Sequence, residues 1–61
     1  MEFIVREFWH KWNGEKWVTW SHDYTGFKTL SAAREWAETA GIANQSAFFK
    51  KNLHGQITEI K

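Results

Sequence analysis

The chain contains no cysteine, so no disulfide supports its fold. It also has no long apolar run and no charged leader followed by an apolar segment. We therefore expect neither a transmembrane helix nor a secretory signal peptide, and we expect a cytoplasmic protein. The formal net charge is only +1, which by itself indicates neither a nucleic acid nor an anionic membrane as partner.

Motifs of catalysis and metal binding are missing as well. His10, His22 and His54 fall in different predicted elements, with no His-x-x-x-His spacing and no cysteine to complete a metal site. We expect no metal and no cofactor.

A short run of catalytically capable side chains occurs at His22-Asp23-Tyr24, between Ser21 and Thr25. No strained nucleophile turn and no glycine pattern for an oxyanion hole accompanies them. The simpler interpretation is that Asp23 forms a turn and Tyr24 covers the edge of the core. We therefore predict a protein that is not an enzyme and has no small-molecule substrate.

Aromatic residues are what the chain has in abundance. Among its 61 residues are five tryptophans, five phenylalanines and one tyrosine. A chain this short lies near the lower limit for independent folding, and without a disulfide it relies on efficient packing or on a partner subunit. We predict one domain over residues 1–61. Because the chain begins at Met1 with no tag or linker, we expect a complete small gene product.

The tryptophans cluster around one turn signal. Trp9 and Trp12 precede Asn13-Gly14, and Trp17 and Trp20 follow it. Asn-Gly between aromatic-rich runs is the strongest short-range signal for a β-hairpin, with a two-residue type I′ loop. The pattern predicts strands over residues 3–12 and 16–22.

A two-residue loop would place Trp12 opposite Glu15 and Trp9 opposite Val18. Side chains alternate between the two faces of a strand, so the hairpin sorts into two sets. One face then carries Ile4, Arg6, Phe8, His10, Trp12, Trp17 and Thr19. The other carries Phe3, Val5, Glu7, Trp9, Val18 and Trp20. Both sets contain large rings, so the sequence does not choose which face the rest of the chain covers.

A helix and a second hairpin are predicted downstream. Residues 23–26 have the composition of a turn, Thr29 or Ser31 is placed to cap a helix, and Gly41 is placed to end it. Between them, an apolar stripe at helical spacing comprises Leu30, Ala33, Trp36, Ala37 and Ala40. Strands over residues 47–51 and 56–60 flank a turn at residues 52–55. The prediction is an α+β fold of order ββαββ, with one helix packed on a short antiparallel sheet.

The same residues resemble a class of small bacterial and phage ββαββ domains of uncharacterised function. Their pattern is a Gly-Trp hairpin, a Phe-x-Thr-capped Ala-x-x-Trp-Ala helix and a closing Gly-x-Ile hairpin. The matching positions are Gly14, Trp17, Val18, Phe27, Thr29, Ala33, Trp36, Ala37, Gly55 and Ile57.

A second similarity is to the three-stranded, one-helix domain with which some phage integrases hold DNA. Phe27-Lys28-Thr29 leads into an alanine-rich helix in the same manner. Here, however, the strands carry Glu7, Glu15 and aromatics where that class carries a dense Lys/Arg face.

The first functional hypothesis is a non-enzymatic protein-interaction module that presents its tryptophan-rich hairpin face. It would be a small phage-type regulator or inhibitor of a larger host protein, or a homodimer. We predict Phe8, Trp12 and Trp17 as contacts, with Arg6 and His10 as the polar rim. A core is predicted from Trp9, Trp20, Phe27, Trp36 and Phe49.

The alternative hypothesis is nucleic-acid binding through the same hairpin. Aromatic rings on a sheet stack bases, and Arg6, Lys11, Lys16, Lys50 and Lys51 would contact phosphates. Protection of a solvated strand edge against aggregation explains the same lysines and is the preferred interpretation. A third hypothesis is a structural accessory domain whose partner is another copy of itself.

Overall fold

Four strands and one α-helix follow one another in the order β-β-α-β-β, which confirms the predicted α+β fold. The structure is a computed structural model that describes all residues 1–61. The elements are β1 Glu2–Trp12, β2 Trp17–Phe27, α1 Leu30–Thr39, a short 3₁₀ helix Ala43–Gln45, β3 Ser46–Lys51 and β4 Ile57–Ile60.

All four strands form one antiparallel sheet in the order β2-β1-β3-β4. The two hairpins are therefore joined side by side through β1 and β3, and α1 connects them. The sheet edges are β2 and β4, whereas Lys50 and Lys51 belong to the interior strand β3. The prediction that these two lysines form or protect a strand edge is wrong, because β4 pairs with β3 and covers it.

Local signals in the sequence set the bounds of α1. The Thr29 hydroxyl accepts a hydrogen bond from the Ala32 amide at 3.0 Å, which satisfies one of the free amides of the first turn. Gly41 follows the helix with φ +77°, a conformation that glycine adopts without a steric penalty. Of the two predicted cap residues, Thr29 and Ser31, it is therefore Thr29 that caps the helix.

The core lies where α1 crosses the sheet. Val5, Ala33 and Ala37 are fully buried against one another, and the small alanines let the helix approach the strands closely. Partly buried apolar residues surround them, namely Phe3, Tyr24, Phe27, Trp36, Ile42, Ala43 and Phe48. We call the side of the sheet that carries Val5, Tyr24 and Phe48 the helix face, and the opposite side the open face. The one strongly buried residue of the open face is Ile4, which lies opposite Phe49 in the register.

The second strand is longer than predicted. Residues 23–26 do not form a turn, because β2 continues to Phe27. An irregularity in the pairing with β1 absorbs the turn-forming residues: Phe3 pairs with Phe27, but Val5 pairs with Tyr24. Gly26 has φ +94° there, and its amide donates to the Glu2 carboxylate at 3.2 Å. These residues form a β-bulge within the strand.

The first hairpin has a register two residues away from the predicted one. Trp12 pairs with Trp17, and the loop contains four residues, 13–16. Asn13 has a negative φ, which excludes the type I′ turn, and its side-chain oxygen accepts from the Glu15 and Lys16 amides at 2.9 Å each. A shift of two residues leaves every side chain on its original face, so the predicted division into two faces is correct although the predicted pairs are wrong.

Candidate interaction surface

The first hairpin extends well beyond the rest of the molecule. Strand β3 begins at Ser46, which lies opposite Glu7, so residues 8–12 of β1 have only β2 beside them. We call residues 8–21, the part of the β1–β2 hairpin beyond Glu7 and His22, the arm. The molecule measures 41 × 27 × 19 Å along its principal axes, in keeping with such an extension.

Four of the five tryptophans lie on the arm, and all four are exposed. Trp9 and Trp20 lie opposite each other on the helix face, with 40% and 54% of their surface accessible to solvent. Trp12 and Trp17 lie opposite each other on the open face, with 51% and 68% accessible. The assignment of Trp9 and Trp20 to the core is therefore wrong, because α1 covers the helix face only at the base of the hairpin.

The remaining predicted core aromatics lie at the base. Phe27 and Trp36 are half-buried and pack against the core cluster. Phe49 is half-buried too, but on the open face, where the Arg6 guanidinium lies 4.4 Å from its ring centroid. The prediction is therefore confirmed for Phe27 and Trp36, and Phe49 belongs to a separate small cluster with Arg6.

Trp12 and Trp17 make a direct aromatic contact at the end of the arm. Their ring centroids are 5.7 Å apart with an interplanar angle of 62°, the edge-to-face arrangement that aromatic pairs favour. The Asn13 amide donates to the Lys16 carbonyl at 3.1 Å, so the next pair along the strands, Trp12 and Trp17, does not exchange backbone hydrogen bonds. Side chains approach most closely at such pairs, which brings the two rings together.

The predicted polar rim is engaged within the molecule. Arg6 donates from Nε and Nη2 to the two Asp23 carboxylate oxygens at 2.7 and 3.0 Å. These hydrogen bonds hold the pKa of Asp23 below its usual range and raise that of Arg6. Arg6 therefore ties β1 to β2 at the root of the arm. His10 lies further out, where its Nδ1 is 3.0 Å from the Thr19 hydroxyl. Phe8, between them on the open face, is half-buried.

A second polar network lies at the same level on the helix face. Glu7 accepts from the Tyr24 hydroxyl at 3.0 Å and from the Gln45 side-chain amide at 2.8 Å. One carboxylate thus joins β1, β2 and the 3₁₀ helix. The hydrogen bond to Glu7 and, second to it, partial burial raise the pKa of Tyr24 above its ordinary value.

Tyr24 should therefore ionise at a higher pH than an exposed tyrosine. A raised folded-state pKa contributes stability that is fully present below the unfolded value of 10.0 and is lost as pH rises through the folded one. The chain has one tyrosine, so absorbance of the tyrosinate reports this group alone. Glu7→Gln should return the pKa towards the ordinary value, because it removes the charge and the strong acceptor. Equal titration curves for the wild type and Glu7→Gln would contradict the role given to this carboxylate.

The predicted phosphate contacts do not come together. Lys11 lies on the helix face of the arm and Lys16 in its loop, whereas Lys50 and Lys51 alternate between the two faces of β3. The Lys51 ammonium is 4.0 Å from the Glu2 carboxylate, and Arg6 is paired with Asp23. Four of the five cations are thus divided between the two faces and the fifth lies in the loop, and two of the five have acidic partners.

The residues considered for catalysis are likewise divided between the two faces of the sheet. Ser21 and Asp23 lie on the open face of β2, and His22 and Tyr24 on its helix face, because successive residues of a strand alternate. His54 lies in the loop between β3 and β4. No group of three or more His, Cys, Asp and Glu side chains is arranged to hold a metal ion. No helix of the structure combines the length and the apolar character needed to cross a membrane.

The structure contains a cleft that the sequence does not predict. A cleft of about 560 Å³ opens where β3 begins, and it is lined by Phe8, Trp9, His10 and residues 44–47. The cleft exists because β1 continues past Ser46 while the chain turns away into the 3₁₀ helix. Its formation depends on where β3 starts relative to β1, and no local pattern in the sequence carries that information.

Comparisons of the chain with protein-family models, with curated proteins and with solved structures found no match. The function of the chain is therefore inferred from the geometry of the arm. The resemblance to small bacterial and phage domains stays a prediction.

Proposed function

We propose that this protein is a non-enzymatic protein-interaction module whose tryptophan-rich arm is the contact surface. The observation that supports this most strongly is the exposure of four tryptophans on one two-stranded extension. Clustered exposed apolar surface is uncommon on monomeric proteins and is typical of binding sites. Tryptophan is also among the residues that contribute most to the energy of protein interfaces.

The arm supports a protein partner better than a nucleic acid. Binding to a nucleic acid at physiological salt needs several Lys or Arg side chains directed at one phosphate backbone. The arm offers Lys11 and Lys16, and these are accompanied by Glu15 in the loop. A mixed-charge surface with large exposed rings fits the aromatic centre and polar rim of a protein interface. A regulator or inhibitor of a larger protein is the role that such a surface suits.

Trp12 and Trp17 are the residues on which we expect partner binding to depend most. Their rings form one contiguous unit on the open face, at the end farthest from α1. Because neither ring packs on the core cluster, both can be replaced without removing core contacts.

The test is affinity capture from a cell lysate with three baits. These are the wild type, the double variant Trp12→Ala/Trp17→Ala, and Leu53→Ala as a matched control. Leu53 is an apolar residue with 89% of its surface exposed, and it lies in the β3–β4 loop, away from the arm. We expect a protein that the wild type and Leu53→Ala retain and that the double variant loses. If Trp12 and Trp17 are hot-spot residues of the interface, the double variant should bind at least about tenfold more weakly.

Two results would overturn the proposal. One is that all three baits retain the same proteins in equal amounts. The other is a mobility shift of single- or double-stranded nucleic acid at low salt that weakens steeply as salt is added, which would favour the nucleic-acid hypothesis. Circular dichroism of each bait ensures that a loss of capture reflects the missing rings and not unfolding.

A further inference from the structure

Strand β2 is an outer edge of the sheet along its whole length. It contains 11 residues, Trp17–Phe27, and pairs only with β1. The other edge, β4, contains only 4 residues. A long exposed edge is a template for pairing with another strand, because its outward amides and carbonyls have no partner.

The outward backbone groups of β2 can be assigned from the hairpin. The bond from the Asn13 amide to the Lys16 carbonyl fixes the alternation, so residues 18, 20, 22 and 24 bond to β1. Residues 17, 19, 21 and 23 therefore direct their amides and carbonyls away from the sheet. No hydrogen bond within the chain reaches these outward groups.

The devices that normally protect an edge are missing from this stretch. Residues 17–23 contain no proline, lysine or arginine, and they are regularly paired, since the bulge of β2 lies beyond them. Their one acidic side chain, Asp23, is neutralised by Arg6. Natural edge strands usually carry lysine, proline or an irregularity at such positions.

The occupant that fits this edge is a second copy of β2. An antiparallel pair of identical strands is self-complementary about a two-fold axis, as most homodimer interfaces are. Centring the axis on Trp20 places all four outward residues in hydrogen-bonded pairs, with Ser21 opposite Thr19 of the other copy. No like charges then face each other. A register centred on Thr19 instead would place Glu15 opposite Asp23 of the second copy, which is unfavourable.

We propose that the protein forms a homodimer through antiparallel pairing of its β2 edges, centred on Trp20, which joins the two sheets into one. The inference rests on the proposed function, because it names a second copy as one partner of the arm. At the axis, the two Trp20 side chains occupy a pair without backbone hydrogen bonds, where side chains are closest. The pairing leaves Trp12, which lies on β1 and not on the paired edge, open to a further partner.

The first test is the mass of the protein by sedimentation equilibrium over a concentration series. Ser21→Pro removes an outward amide and keeps the ladder with β1, and proline is accepted on an edge strand at such a position. Ser21→Ala keeps the amide and is the matched control. We expect dimers for the wild type and Ser21→Ala, and a dissociation constant about tenfold higher or more for Ser21→Pro, since each amide is used once in each copy.

The second test locates the axis. The chain has no cysteine, so Trp20→Cys introduces a single thiol that should cross-link two copies on oxidation. Opposed Cα atoms at such a pair are about 4.5 Å apart, within the range of a disulfide. Trp9→Cys places a thiol on the same face of the neighbouring strand and should stay uncross-linked.

The outcomes separate this inference from the proposed function. A wild type that is monomeric at every concentration would overturn the dimer, and so would a dimer that Ser21→Pro does not weaken. Equal cross-linking of Trp9→Cys and Trp20→Cys would overturn the register. None of these results changes whether Trp12 and Trp17 are required for lysate capture, which is the measurement on which the proposed function depends.

Discussion

Ala37→Leu should lower the free energy of unfolding by about 2–3 kcal/mol, since adding methylene groups to a well-packed core forces shifts of side chains and backbone. Ala37 is fully buried on the face of α1 that meets Val5. The core of a domain of this size rarely supplies more than about 3–5 kcal/mol of stability, so the variant would be largely unfolded or close to it.

Ala32→Leu is the matched control for this prediction. Ala32 lies on the same helix but is exposed, and alanine and leucine are both good helix formers. Its effect should stay within about 0.5 kcal/mol, as is usual for surface substitutions. Urea denaturation measures both variants, and a change in midpoint at constant slope reports stability. Equal midpoints for Ala32→Leu and Ala37→Leu would show that α1 does not pack on the sheet through Ala37.

Trp36→Ala and Trp17→Ala should differ sharply although they remove the same side chain. The Trp36 ring is half-buried, with centroids 4.6 Å from Tyr24 and 5.4 Å from Phe27. Its truncation should cost about 3 kcal/mol, the lower part of the range for large aromatics in cores. Trp17→Ala removes little more than the contact between Trp17 and Trp12, which contributes about 1 kcal/mol.

This pair of variants distinguishes a tryptophan that stabilises the fold from the exposed tryptophans of the arm. Thermal or urea unfolding gives the free energies, and acrylamide quenching of the intact protein should be dominated by the four rings of the arm. A cost for Trp17→Ala equal to that for Trp36→Ala would mean that the arm is part of the core. In that case Trp17 could not be assigned to binding.

Much of the fold follows from short-range signals in the sequence. Thr29 and Gly41 bound the helix through backbone chemistry that each residue carries with it. The division of the hairpin into two faces follows from alternation and survives the error in register. The pairing of the two strands does not follow from such signals. The Asn13 side-chain oxygen accepts from two amides of the loop, so the loop contains four residues and Trp12 pairs with Trp17 in place of Glu15.

The exposure of the arm depends on the relative lengths of the helix and the strands, which the composition of the chain does not give. A helix of 10 residues spans about 15 Å, whereas a strand of 11 residues spans about 36 Å. One short helix therefore covers only part of the first hairpin. The sequence predicted Trp9 and Trp20 in the core, although it did not choose which face of the hairpin the rest of the chain covers. They are exposed because both lie beyond Glu7 and His22, on the part of the hairpin that β3 does not reach and that does not pack on the core cluster.

The two polar networks at the root of the arm have a consequence for the rate of recognition. The Arg6–Asp23 pair holds the open face, and the Glu7 carboxylate holds the helix face through Tyr24 and Gln45. A ribbon fixed on both sides at its root would present an already ordered backbone to the proposed partner. Less conformational entropy is then lost on association. Association is also faster when binding requires no conformational change. We therefore expect the root of the arm to raise the rate of association with the proposed partner without contacting it.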